Sequence, residues 1–287
     1  MKTIAIVATG GTIAGTGKKG KTAAYHAGEI DIDSIIETIP EINEVAHIKE
    51  YQLMNIDSNE MTHEKWLILK NNIEEILSDD TIDGAVVTHG TDTLDETAYF
   101  LTLTLNTPKP VVLTGAMRPA TATSADGPFN LYQAICLACH GESYNRGVLA
   151  LFSNTIYSGR DIEKVNNFKI DAFDQRSLGC LGYMQDQEVY FYTQTSKIHT
   201  IKSRFNKRID SIKSVAIAFY YSGADAKILY DLASDHEGIV FDDEIFDPHH
   251  LCISSNTLSP QKARVLLMLA LTQTHDRDEI REIFLQY

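Results

Sequence analysis

Two short stretches bring hydroxyl and carboxylate side chains next to glycine turns. Ala8-Thr-Gly-Gly-Thr-Ile-Ala-Gly15 sets Thr12 just past a glycine pair, and Val86-Val-Thr-His-Gly-Thr-Asp-Thr93 sets Thr91 and Asp92 just past another glycine. Glycine lets the backbone turn where a side chain would be strained. A threonine hydroxyl left at such an exit can attack a carbonyl. Being neutral, it attacks poorly and needs a base and a polarised target. Structural work suits the same residues: Thr is an ordinary turn residue, and Thr91 or Asp92 can cap a following helix. A third polar exit is Asn55-Ile-Asp-Ser58-Asn59.

Gly15-Thr-Gly-Lys-Lys-Gly-Lys-Thr22 spells a different chemistry, because it fits the phosphate-loop pattern G-x-x-x-x-G-K-[ST]. Its surroundings argue against nucleotide binding. The preceding strand ends near Thr9, well before Gly15, and "AAYHAGE" after Thr22 is broken by Gly28 where a long helix should open. No apolar strand ends in an Asp placed to hold magnesium. The segment reads as a mobile, solvated loop. Cys136-Leu-Ala-Cys139-His140 matches the haem-attachment pattern, yet Leu131, Ile135, Ala138 and Cys139 recur at helical spacing, so a packed helix face is the simpler reading. With Cys180 and Cys252 the chain has 4 cysteines, read as reduced thiols, and no cofactor or metal is expected.

The elements that must position these exits alternate. Short apolar runs at 3–9, 47–54, 84–90, 110–116 and 147–154 read as strands, separated by helical patterns at 31–39, 61–79, 95–105 and 127–140. That βαβα alternation predicts an α/β fold: a larger N-terminal domain with a mainly parallel sheet flanked by helices. Ligands of such sheets bind at the carboxyl ends of the strands, where all three polar exits lie. Two threonine-bearing exits converge only if their strands are neighbours. Residues 183–195 read as a hairpin, and the polar, basic 196–212 as a linker. A smaller C-terminal α/β domain follows at 213–287, with strands "SVAIAFYY" and "EGIVF", a helix in "ADAKILYDLAS" and two terminal helices. The division expected is therefore 1–195, 196–212 and 213–287.

Net charge is −14 on 287 residues, which disfavours nucleic acid and anionic membranes as partners. No apolar run approaches membrane-spanning length. "MKTIAIVATGG" lacks the long apolar core of a signal peptide, so a cytoplasmic location is expected.

"ATGGTIAG" with "THGTDT" resembles the two signature motifs of the bacterial L-asparaginases. The resemblance continues through "LTGAMRP", "SADGPFNL", "GRDIEKVNN" and "TLSPQKARVLLMLALTQT", in order along nearly the whole chain. It implies hydrolysis of L-asparagine to L-aspartate and ammonia without a cofactor. Thr12 would be the nucleophile, Tyr25 its lid-borne hydroxyl partner, and Thr91, Asp92 and Lys164 a second catalytic group. Asp92 would pair with the substrate ammonium, Ser58 would bind its carboxylate, and the Ala116 backbone would stabilise the oxyanion. Residues 15–28 then become a lid, and the phosphate-loop match an accident of a Gly/Lys-rich hinge. Asn59 stands where a close branch carries Gln, so weak activity on L-glutamine is expected. The resemblance also implies a homotetramer built as a dimer of dimers.

One departure lies near 240–243, where family members carry a few dozen more residues, including an Asn that supports the site across a subunit interface. Glu244 aligns with the family's cross-subunit glutamate. The alternative to an active enzyme is therefore an impaired paralogue or deletion variant that binds aspartate or asparagine with little turnover.

Overall fold

The structure, a computed structural model, describes residues 1–22, 25–175, 178–217 and 253–287. They fall into two compact units, Met1–Asn206 and Lys207–Tyr287.

The first unit is built on a sheet of eight strands. β1 (Lys2–Gly10) is followed by a two-stranded flap, β2 (Thr16–Gly17) and β3 (Tyr25–His26). Two short helices, α1 (Ile32–Ile36) and α2 (Ile42–Val45), lead to β4 (Ala46–Ile56). Then come α3 (His63–Leu77), β5 (Gly84–Thr88), α4 (Leu94–Thr104), β6 (Val111–Thr114), α5 (Gly127–Cys139) and β7 (Val148–Phe152). β8 (Thr155–Ser158) returns antiparallel to β7, and a small ladder joins β9 (Glu163–Lys164) to β10 (Phe173–Asp174). The hairpin expected at 183–195 is β11 (Gly182–Gln185) and β12 (Glu188–Phe191).

The sheet order is β12-β11-β8-β7-β6-β5-β1-β4. β4, β1, β5, β6 and β7 run parallel, and their central members are apolar on both faces because helices cover both. Ile4, Ile6 and Ala8 of β1 join Val86, Val112 and Leu149 in one core with α1, α2 and α5. The alternate residues, Ala5, Val7, Ala85 and Val87, are equally buried on the side where α3 packs on β5 and α4 on β7. Of the apolar residues that recur at helical spacing along α3, Trp66, Leu69 and Ile73 are buried and Ile76 is half-buried.

Three local expectations shift. The helix expected over 31–39 stops at Ile36, and a second short helix starts at Ile42, because Pro40 between them cannot continue a helical hydrogen-bond ladder. β8 escaped the pattern reading. Its turn, Ser153-Asn154, has φ of 47° and 67° without a glycine to flag it. The segment 196–212 contributes Thr200, Ser203 and Phe205 to buried positions of the first unit, which its polar composition hides.

In the second unit the helices Pro260–Ala270 and Arg277–Gln286 are both capped. Ser259 accepts from the Lys262 N–H and Asp276 from the Glu279 N–H. They bury Val265, Leu266, Leu269, Ile280, Ile283 and Phe284. The second half of the strand "SVAIAFYY", the helix in "ADAKILYDLAS", the strand "EGIVF", the shortened stretch at 240–243 and Glu244 lie outside the described residues.

Candidate active site

β1 sits between β4 and β5, both parallel to it, and β6 pairs with β5. The exits carrying Thr12, Ser58, Thr91 and Ala116 therefore leave four adjacent strands at one edge. The chain passes from β1 to β4 on one side and then to β5 on the other, which opens a crevice at the strands' carboxyl ends.

Glycines let the loops approach. Gly10 and Gly11 have φ of 105° and 83°. A Cβ on Gly11 would lie 2.5 Å from Gly90 Cα, and one on Gly90 would lie 2.7 Å from Ser58 Cβ. The two motif turns and the Ser58 turn thus touch backbone to backbone, which no larger residue permits. Gly127 plays the same part for the fourth exit, packing against both Ile13 and Ala116.

Two hydroxyl-centred groups result. In the first, Thr12 Oγ1 is 2.8 Å from the Tyr25 hydroxyl, with Thr12 buried. In the second, the Lys164 ammonium donates to Thr91 Oγ1 at 2.8 Å and to Asp92 Oδ1 at 2.5 Å. Because Lys164 has only donors, it takes a lone pair of Thr91 and leaves that hydroxyl's own proton pointing elsewhere. Asp92 Oδ2 faces the Asn59 amide at 3.4 Å, and Asn59 is held by Asp57 Oδ1 at 2.9 Å. Ser58 Oγ accepts the Asp92 N–H at 3.2 Å, so the Ser58 hydroxyl proton remains available to another acceptor. Ala116 is fully buried, and its neighbour Gly115 packs against the His89 carbonyl. Eight of the nine sequence-derived site residues are thus placed at one edge; Glu244, the ninth, is outside the described residues.

Sequence reasoning missed the supports. Asp57 holds Asn59 and also accepts from its backbone N–H. Asp126 accepts from the Met117 and Arg118 N–H groups, and the Asn130 amide donates to the Gly115 carbonyl, fixing the Ala116 loop. The "SADGPFNL" segment carried both residues, but nothing local said which loop they serve. The flap is tied down by the Gly17 N–H to Thr121 Oγ1, the Gly20 N–H to the Thr121 carbonyl and the Ala120 N–H to the Gly15 carbonyl. Thr16 also hydrogen-bonds Glu29. Tyr25 packs on Gly15, where a Cβ would lie 3.0 Å from its ring.

His89 is completely buried behind the second motif, and burial pushes its imidazole down to about 4 from 6.5. The folded chain keeps it neutral where the unfolded chain would protonate it. Stability therefore falls as pH drops from 6.5 towards 4, by up to about 3 kcal/mol. Urea midpoints at pH 7 and pH 5 should show the loss, and His89→Gln should shrink it. A wild-type loss no larger than that of His89→Gln would contradict it. The Cys136 and Cys139 thiols are pushed up to about 12 and about 11 by burial, so neither supplies a thiolate at neutral pH.

A mostly parallel sheet that gathers hydroxyl, carboxylate and ammonium groups at its carboxyl edge is suited to holding a small polar ligand there. Residues 3–197 match the family described as "Asparaginase, N-terminal", and residues 243–284 the "Glutaminase/Asparaginase C-terminal domain". The chain belongs to the asparaginase family and is an L-asparaginase-type amidohydrolase. The chain is 37% identical to "L-asparaginase 2" of Escherichia coli (strain K12), covering 99% of this chain and 93% of that protein. It is 35% identical to a "Glutaminase-asparaginase" of Acinetobacter glutaminasificans, covering 99% of both. The crystal structure of a probable cytoplasmic L-asparaginase from Campylobacter jejuni superposes with a TM-score of 0.95 at 39% identity, covering 100% of both chains. No helix among the described residues is long and apolar enough to cross a membrane.

Proposed function

We propose that the chain hydrolyses L-asparagine to L-aspartate and ammonia through a Thr12 acyl-enzyme. The observation that carries this reading is the meeting of the Thr12–Tyr25 pair and the Lys164–Thr91–Asp92 group across the Gly11–Gly90 contact. Thr12 Oγ1 attacks the side-chain amide carbon, and its proton passes through the hydroxyl groups to the leaving nitrogen, which departs as ammonia. Water then attacks the ester, aspartate leaves, and Thr12 regains its proton. The half-exposed Asp92 carboxylate takes the substrate ammonium and the Ser58 hydroxyl its carboxylate. The Thr91 N–H and the Ala116 backbone are the proposed stabilisers of negative charge. Ammonia release from L-asparagine, compared with Thr12→Ala, tests the reading.

Asn59 is held at two carboxylates, and its side chain is one methylene shorter than Gln. A change of that size moves discrimination by about 1–3 kcal/mol. We expect kcat/KM for L-asparagine to exceed that for L-glutamine by about tenfold or more; equal values would contradict this role for Asn59.

Flap closure is proposed to exclude water and bring Tyr25 to Thr12. Thr121→Val removes the acceptor of the Gly17 N–H. It should lower kcat/KM about three- to tenfold while leaving the melting temperature close to wild type; unchanged kinetics would remove Thr121 from this role.

A dimer of dimers, with Glu244 reaching a neighbouring chain's site, belongs to the same proposal and is tested by solution mass. The alignment with the Escherichia coli relative runs over 327 positions against 287 residues here, so that relative carries residues this chain lacks. That difference favours a second reading, a chain that binds L-aspartate or L-asparagine with little turnover. Folded wild-type protein that binds aspartate but releases no ammonia would support it.

A further inference from the structure

Behind the second motif runs a line of buried polar groups that the proposed chemistry does not use. Trp66 Nε1 donates to Thr97 Oγ1 at 2.8 Å, Thr97 Oγ1 lies 3.0 Å from His89 Nε2, and His89 Nδ1 lies 2.7 Å from the Gly90 carbonyl oxygen. Trp66, Thr97 and His89 are 3%, 0% and 0% exposed. They come from α3, α4 and the loop after β5.

Both ends of this line have fixed polarity. An indole N–H can only donate, and a carbonyl can only accept. Neutral His89 must therefore carry its proton on Nδ1 to meet the Gly90 carbonyl. Nε2 is then an acceptor, and the Thr97 hydroxyl must donate to it while accepting from Trp66. Every group has one role, and the alternative tautomer would set two acceptors, Nδ1 and the carbonyl, against each other.

The Gly90 carbonyl belongs to the peptide that leads into Thr91. The described residues contain no cis peptide bond. In a trans peptide the carbonyl and the N–H point in opposite directions. Pinning the Gly90 carbonyl inward towards His89 turns the Thr91 N–H outward, away from the core. Gly90 is itself the residue whose backbone touches Gly11 and Ser58.

We propose that Trp66, Thr97 and His89 form a positioning relay that sets the plane of the Gly90–Thr91 peptide, and through it the aim of the Thr91 N–H and side chain in the site. The relay rests on reading this site as one for amide hydrolysis, but its hydrogen-bond direction can be measured without turnover. All three side chains are buried. They act through a backbone that would otherwise be free to rotate at a glycine. A small rotation there misplaces a donor and a hydroxyl together, and small misplacements are costly in rate.

The test joins a spectroscopic readout to kinetics. Nitrogen-15 NMR of the folded wild-type chain should show His89 Nδ1 as the protonated nitrogen and Nε2 as the unprotonated one. Thr97→Val keeps the shape of the side chain but deletes the donor. It should shift the His89 Nε2 and Thr91 amide resonances, while the Gly90 carbonyl still holds the proton on Nδ1. We expect kcat for L-asparagine to fall about tenfold with KM changed less than about threefold. Thr97→Ser restores the hydroxyl and should recover most of kcat, which a loss of packing alone would not reverse. If Thr97→Val does not fold, Trp66→Phe removes the outer donor and should give a smaller drop in the same direction. A His89 protonated on Nε2 in the wild type overturns the relay, as does wild-type kcat in a folded Thr97→Val. Wild-type protein that hydrolyses no asparagine while His89 shows the Nδ1–H tautomer would sink the functional reading and leave the relay's direction supported.

Discussion

Thr12→Ala should reduce ammonia release from L-asparagine by at least about a thousandfold, because it deletes the atom to which the acyl group is transferred. Binding energy and backbone donors remain, so a small residual rate is compatible with the reading. The fold should survive. The substitution removes one hydroxyl, which lies 2.8 Å from the Tyr25 hydroxyl, and leaves the Gly10-Gly11 turn untouched. Steady-state ammonia assay and a melting curve on the same preparation separate the two effects. Thr12→Ala with a tenth or more of wild-type kcat would exclude Thr12 as nucleophile and move attention to Thr91. Mass spectrometry after rapid quenching should find the acyl adduct on the peptide containing Thr12.

Lys164→Met should cost about a hundred- to ten-thousandfold in kcat/KM. The ammonium is only 11% exposed and holds two partners at once, Thr91 Oγ1 and Asp92 Oδ1. Its removal releases the Thr91 hydroxyl to rotate and leaves Asp92 without its cation. Asp92 is 51% exposed, so water can solvate it, and the cost in stability should stay well below the cost in rate. Thr91→Val should produce a loss of similar size. If the two residues act as one unit, the double variant will be little worse than either single one. Fully multiplicative losses would mean that the pair does not act as a unit, and a Lys164→Met chain with wild-type kcat/KM would remove Lys164 from the mechanism.

Much of the fold was legible because local patterns carry it. The apolar runs of β1, β5, β6 and β7 are buried on both faces, which makes them near-continuous Ile/Val/Leu/Ala segments in the sequence. Helix α4 begins where Asp95 and Glu96 favour an N-terminus. The misses were equally physical. β8 follows a turn whose left-handed residues are Ser153 and Asn154, and the Pro40 break divided one expected helix into two.

The sequence by itself determined that glycine turns bearing Thr12 and Thr91 leave apolar strands, that the phosphate-loop pattern lacks its strand and helix, and that the motifs resemble the asparaginases. These follow from residues adjacent in the chain, where φ preference, burial period and motif spacing act directly. Only the tertiary structure decided that β1 lies between β4 and β5, and hence that the exits carrying Thr12, Ser58 and Thr91 meet. Only it brought Lys164 to Thr91 across 73 positions of sequence. Without the family motif, Lys164 in "GRDIEKV" is one lysine among many. Only it set Asp57, Asp126 and His89 behind the site. A side chain's role there depends on which strand pairs with which, and that is a through-space property that spacing along the chain does not encode.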